Sequence, residues 1–138
     1  MQSVTSNAVA EAFNGMEVTE SGYTDLNTPN NGWYVKYKCG LIVEDFIVSH
    51  RVTFTALGNI YKYDTSLPLP VALKLNTKPV SVSASIESVR SSGIQGAWVG
   101  CTNENSDSNT RLYYQLLCYY GYSNAYITVR FHVVGFWK

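Results

Sequence analysis

The sequence predicts a mainly β protein, an antiparallel β-sandwich preceded by a short N-terminal α-helix, and three observations carry that prediction. Val, Ile, Tyr, Trp and Phe gather in short runs from Trp33 onward; Gly, Pro, Asn and Ser punctuate those runs; and no strand–helix–strand rhythm interrupts them. At 138 residues the chain has the size of one domain, able to bury roughly 68% of its unfolded surface around a single core.

The helix is expected within residues 1–16. Ser3, Thr5 or Ser6 can cap its start, and Gly15 follows its end as a left-handed stop. Val9, Ala12, Phe13 and Met16 recur at helical spacing and form one apolar face. So short a helix is marginal alone in water, so this face needs a partner, either its own domain or further copies packed around an axis. Ala8 and Ala10 are small enough to allow the close approach that copies would need. Residues 17–32, polar and closing on Pro29-Asn30-Asn31-Gly32, read as a linker, which leaves residues 33–138 as the β domain.

Within that domain, Trp33–Lys38 and Leu41–Val48 flank a turn at Cys39-Gly40, and Arg51–Ala56 continues the strand vocabulary. Pro68 and Pro70 exclude a central strand at Leu67–Val71, so that segment runs along an edge or crosses between sheets. The clearest alternation follows Pro79, where Val80, Val82, Ala84 and Ile86 oppose Ser81, Ser83, Ser85 and Glu87. Gly96–Thr102 and Arg111–Tyr119 read as strands joined by the polar loop Asn103–Asn109. Ala125–Trp137 returns after a turn at Gly121–Asn124.

Composition narrows the function. Ten basic and ten acidic residues cancel, so no one-signed field draws in nucleic acid or an anionic membrane. No run reaches the ~20 apolar residues of a membrane span, and the start lacks the basic and apolar regions of a secretion signal. Charged residues make up only 14% of the chain, while there are eleven Tyr and three Trp. Such a surface suits a subunit that hides much of itself in an oligomer, or a module that presents rings to sugars or proteins. Cys39, Cys101 and Cys118, without C-x-x-C spacing, read as three reduced, packed thiols.

Reactive constellations are weak throughout. Glu44-Asp45 is the only close acidic pair in an expected strand. Neighbours there point to opposite faces, so they cannot together flank one glycosidic bond without a partner from another strand, and a turn or a solvent-facing acidic edge is the plain reading. Ser49-His50 diverges for the same reason and lacks a nucleophile elbow. His50 and His132 stand at no metal-ligand spacing, and His132 reads as a packed or interface side chain. Glu104 and Asp107 lack the order of a calcium loop, which leaves a solvated hairpin. Lys36 and Lys38 beside Trp33, Tyr34 and Tyr37 are outweighed as a single-strand platform by the zero net charge. No catalytic residue, metal or cofactor is expected. The group that does stand out is tyrosine at 113, 114, 119, 120, 122 and 126, whose rings suit the flat face of a sugar or fill a core.

Three segments carry a resemblance to a known family. Gln2-Ser3-Val4-Thr5-Ser6-Asn7-Ala8-Val9-Ala10 resembles the V-T-S-N-A-V-A helix that precedes the C-terminal heads of phage and prophage tail fibres. Gly32–Val43 is similar to their first hairpin, G-[WY]-x-[KR]-[FWY]-x-x-G-[LF]-I-x-Q, and Phe131–Lys138 resembles their closing strand. Glu44-Asp45-Phe46 departs from the pattern, because relatives carry Gln followed by Trp-Gly there.

The resemblance implies a homotrimer about a long axis, with the helix on the shaft side (Val9, Ala12, Phe13, Met16) and the head toward the host. It carries over no catalytic residues. Its expected partners are other tail proteins and a bacterial cell-surface receptor, with a polysaccharide as the leading class. Tyr119, Tyr120, Tyr122 and Asn124 are the candidate receptor contacts. The expected place is the virion tail, made in the bacterial cytoplasm and released by lysis, in keeping with the missing signal. A structural baseplate or fibre connector is the alternative, and a capsule-degrading glycosidase is the weakest. The loop Asn103–Asn109 and the turn Tyr119–Asn124 flank one strand, so only one of them can face the host.

Overall fold

A computed structural model of the chain describes residues 15–24, 31–89, 97–102 and 108–138. Among these lie nine strands: β1 (Val18–Thr24), β2 (Gly32–Tyr37), β3 (Leu41–Val52), β4 (Thr55–Leu57), β5 (Ile60–Pro68), β6 (Ser81–Val89), β7 (Ala97–Thr102), β8 (Arg111–Cys118) and β9 (Ala125–Phe136). They form two antiparallel sheets, a five-stranded one in the order β1-β2-β3-β9-β6 and a four-stranded one in the order β4-β5-β8-β7.

The two sheets pack on each other because alternate residues of their long strands are apolar. Ile42, Phe46 and Val48 of β3 and Ile127, Val129, Phe131 and Val133 of β9 point to one side. Leu112, Tyr114, Leu116 and Cys118 of β8 and Leu67 of β5 meet them from the other sheet. Phe131 sits at the seam. Its ring stacks on Phe46 at 5.4 Å and takes Tyr114 edge-on at 5.0 Å, the offset geometries aromatic quadrupoles prefer. Across the same seam the Tyr114 hydroxyl and His50 Nε2 hydrogen-bond at 2.8 Å, and burial lowers the histidine's pKa, favouring the neutral ring.

Several expectations hold. β2, β3, β6, β7, β8 and β9 fall where the sequence places strands. In β6, Val82, Ala84 and Ile86 pack on the core while Ser81, Ser83, Ser85 and Glu87 are exposed. Leu67–Val71 does leave one sheet for the other, since β5 and β6 belong to different sheets.

Others need correction. Val18–Thr24, expected to be linker, is an edge strand whose backbone pairs with β2 from Val18 opposite Tyr37 to Thr24 opposite Gly32. Tyr119–Asn124 is not a hairpin turn but a crossover, because β8 and β9 lie in different sheets. Cys39 is exposed in the β2–β3 turn and not packed; Cys118 is buried. Glu44 is no solvent-facing edge: it points inward and is wholly buried, while Asp45 points outward. The expected helix with Val9, Ala12 and Phe13 lies outside the described residues, as do Glu104 and Asp107. Met16, the one member of that helix face within them, is 65% exposed.

Candidate binding surface

Strand directions give the domain two ends. The chain enters beside the β2–β3 turn, where Cys39 N–H donates to the Gly15 carbonyl at 2.9 Å. The C-terminus returns to the same place, with Trp137 N–H bonded to the Gly40 carbonyl and Trp137 Nε1 to the Tyr37 carbonyl, both at 2.9 Å. From there β3 runs its twelve residues to Val52, which pairs with Ala125. At the usual rise per residue that separates the ends by about 36 Å. Ser108–Thr110 lies at the entry end, since Asn109 bonds Leu73 there. The turn at Tyr119–Asn124 lies at the far end, with the β4–β5 hairpin.

The far-end turn is fixed by its backbone and by the Tyr122 side chain. Phe54 N–H donates to the Tyr122 carbonyl at 2.9 Å, and Asn124 N–H donates to Thr53 Oγ1 at 3.0 Å. Asn124 takes a left-handed φ of 55°, which asparagine tolerates better than most residues, and its carbonyl accepts from Arg51. A side-chain carbon at Gly121 would stand 2.6 Å from the Tyr61 ring, so only glycine lets the turn lie this close. Tyr122 packs against the core.

On this anchored turn Tyr119 and Tyr120 are 62% and 59% exposed. Tyr119 meets Trp98 at 5.0 Å between centroids, and Tyr120 meets Tyr122 at 5.7 Å. Of the four candidates from the sequence, two therefore present rings to solvent and two hold the turn. Trp98 was not legible as a partner, because β7 and β8 come together only through the sheet.

Several of the polar groups singled out in the sequence pair with one another. Arg130 bonds Asp45 at 2.7 Å and also Glu87, while His132 Nδ1 lies 3.3 Å from Asp45. The guanidinium thus fills the space between the two carboxylates, where a glycosidic bond would have to sit. His132 is exposed, not packed. Ser49 and His50 diverge, the serine to Thr128 and the histidine to Tyr114. Lys36 pairs with Glu20 at 3.0 Å. Glu44 accepts from Val71 N–H at 2.8 Å through Oε1, while Oε2 has no partner among the described residues. Burial pushes its pKa up to about 7.

Two antiparallel sheets around a single core form a fold that this chain shares with solved tail-fibre structures. The R1 pyocin fibre of P. aeruginosa, in a C-terminal fragment, superposes with a TM-score of 0.57 at 18% identity over 95% of this chain. An N-truncated R1-type pyocin tail fibre superposes at 0.52 with 20% identity over 95% of both chains. The chain spans only 31% of the first of these. At these identities the likeness is one of fold. No family model and no curated protein matches the sequence.

Proposed function

We propose that the chain is the head of a phage or prophage tail fibre, a homotrimer that binds a bacterial surface glycan and performs no chemistry. The observation that carries this reading is the fold shared with R1-type pyocin tail fibres over 95% of the chain. The three sequence segments that resemble fibre heads agree with it. On this reading the end at Gly15, where the chain enters, is the shaft side, and the end remote from it, with Tyr119 and Tyr120, faces the host. Ser108–Thr110 then belongs to the shaft side. The tail of the virion is its place, and other tail proteins are its neighbours.

A trimer is supported by the outward face of the five-stranded sheet. Val35, Val43 and Val134 are directly opposite one another across β2, β3 and β9. They form an apolar row on the side away from the core, as expected of a sheet covered on both faces. Three copies would also supply avidity from weak single sites.

The test is binding of the full chain to a panel of intact bacteria, compared with a Tyr119→Ala/Tyr120→Ala variant. The expected outcome is host-selective binding that falls about tenfold or more without change in solution mass, as for loss of exposed ring contacts. A head that binds no bacterium and associates only with tail proteins would make the chain a connector. Released reducing sugar would make it an enzyme.

A further inference from the structure

Inward residues alternate along β8 at Leu112, Tyr114, Leu116 and Cys118, so Gln115 and Leu117 point out from the four-stranded sheet. Trp98 of β7 and Lys62 of β5 both lie opposite Leu117, one on each side, and Asp64 of β5 lies opposite Gln115. Facing pairs share a side of the sheet, so Trp98, Leu117, Lys62, Gln115 and Asp64 occupy one surface, and the Tyr119 ring joins it through its contact with Trp98. A side-chain carbon at Gly100 would stand 2.5 Å from Leu117, so a glycine at the β7 bulge lets the leucine lie against this strand as a floor. By strand spacing and rise the surface measures roughly 10 by 13 Å.

Its polar half is organised in advance. Lys62 Nζ lies 2.7 Å from Asp64 Oδ2, and Gln115 Nε2 donates to Asp64 Oδ1 at 2.9 Å. Those two hydrogen bonds, that from Lys62 first, hold the Asp64 carboxyl below the usual range, so it stays ionised. A carboxylate offers about four acceptor positions, more than these two donors occupy. The Gln115 carbonyl is a further acceptor.

We infer that this surface is a carbohydrate site in which a hexopyranose stacks its C–H face on Trp98 and Tyr119 and sets vicinal hydroxyls on Asp64 and Gln115. The chemistry fits a sugar better than other ligands. The charges are already paired, so the row attracts no ion, and it has no basic stripe for a phosphate backbone. The rings and the polar row lie side by side, matching the two kinds of surface a pyranose presents. The site rests on the reading of the chain as a host-binding head, and it extends glycan recognition from the tip, through Tyr119, onto the flank of the far end.

The experiment is an array of purified bacterial polysaccharides, including neutral hexose polymers, probed with the full chain and in parallel with intact bacteria. Expected is binding to at least one hexose polymer, weakened about tenfold or more by Trp98→Ala and by an Asp64→Asn/Gln115→Ala pair, as for removal of a buried ring or a hydrogen-bonding pair. Trp98→Phe should restore most of it, which guards against a folding defect. Array binding unchanged in folded Trp98→Ala overturns the site and leaves the fibre-head reading intact. Binding to cells but to no polysaccharide does the same. Binding to neither overturns both.

Discussion

The two sheets turn different surfaces outward. Beyond the five-stranded sheet stand Trp33, Val35, Leu41, Val43, Ile47, Val134 and Phe136, an apolar field around the Asp45–Arg130–Glu87 cluster. Beyond the four-stranded sheet stand Lys62, Asp64 and Gln115, bonded to one another, and Arg111 bonded to Ser66, with Trp98 and Tyr119 at one end and Tyr113 opposite Ser66. Both sheets have one face on the same core, so burial of that face does not distinguish them. What differs is the second face. A strand covered on both sides reads as a near-continuous apolar run, and Leu41–Val48 with its single acidic step reads that way. A strand wet on one side alternates, as Tyr61–Leu67 does. The lesson is that one outward surface is largely apolar, as the proposed trimer requires, and the other is largely polar, as the proposed ligand surface requires. At the far edge of the apolar field Ser81, Ser83 and Ser85 of β6 mark where cover ends.

The sharpest way to break this contrast is to charge the covered face. Val43→Lys would place an ammonium in each subunit contact, where desolvation costs several kcal/mol unless a partner is supplied. Light scattering should show the mass fall from about three times 15.4 kDa to a single copy, with the β spectrum retained. The matching change on the other sheet, Ser66→Lys, should leave the mass alone. A trimer that survives Val43→Lys would place the subunit contact elsewhere.

Glu44 and Asp45 put the contrast between inside and outside into adjacent residues. Asp45 is satisfied by Arg130 and His132, whereas Glu44 is buried on one backbone donor. Its pKa in the folded protein is about 7, against an ordinary 4.5. Between those values the folded state keeps a proton that the unfolded chain has released, so stability falls as pH rises. The contribution is fully present below about pH 4.5 and lost through pH 7, at most about 3 kcal/mol from the size of the shift. Denaturant titrations at pH 5 and pH 8 should show wild type losing this much more than Glu44→Gln. Parallel losses in the two proteins would mean that Glu44 does not carry the proton.

The sequence made β6 legible because serine alternates with apolar residues there and nothing else does. β1 escaped because an edge strand with an almost wholly exposed face has no apolar period to read. β5 alternates Tyr61, Tyr63, Thr65 and Leu67 against Lys62, Asp64 and Ser66, but half-polar inward residues and the prolines beyond obscured it. Gly121 to Asn124 carries the same turn residues whether a chain doubles back or crosses to another sheet, so the crossover was invisible locally. The ring-bearing turn was legible as tyrosine density. Its partner Trp98 and the polar row at Lys62, Asp64 and Gln115 were not, since they are assembled by register across three strands.

The smallest expected effect sharpens the comparison most finely. Arg130 and Arg111 each bond an adjacent strand from an outward face, Arg130 to Asp45 and Glu87, Arg111 to Ser66. If both faces were open to water, Arg130→Met and Arg111→Met would each cost under about 1 kcal/mol, the range of exposed pairs. Cover over the five-stranded sheet changes only the first. It would leave Glu87 without this partner and Asp45 with His132 alone in a dry contact, raising the cost to about 3 kcal/mol, while Arg111→Met stays near about 0.5 kcal/mol. Unfolding measured at two protein concentrations separates the cases, because the extra cost of Arg130→Met should shrink once dilution has dissociated the copies. Equal, concentration-independent costs for the two arginines would mean that both faces are wet and that the apolar row across β2, β3 and β9 is not a subunit contact.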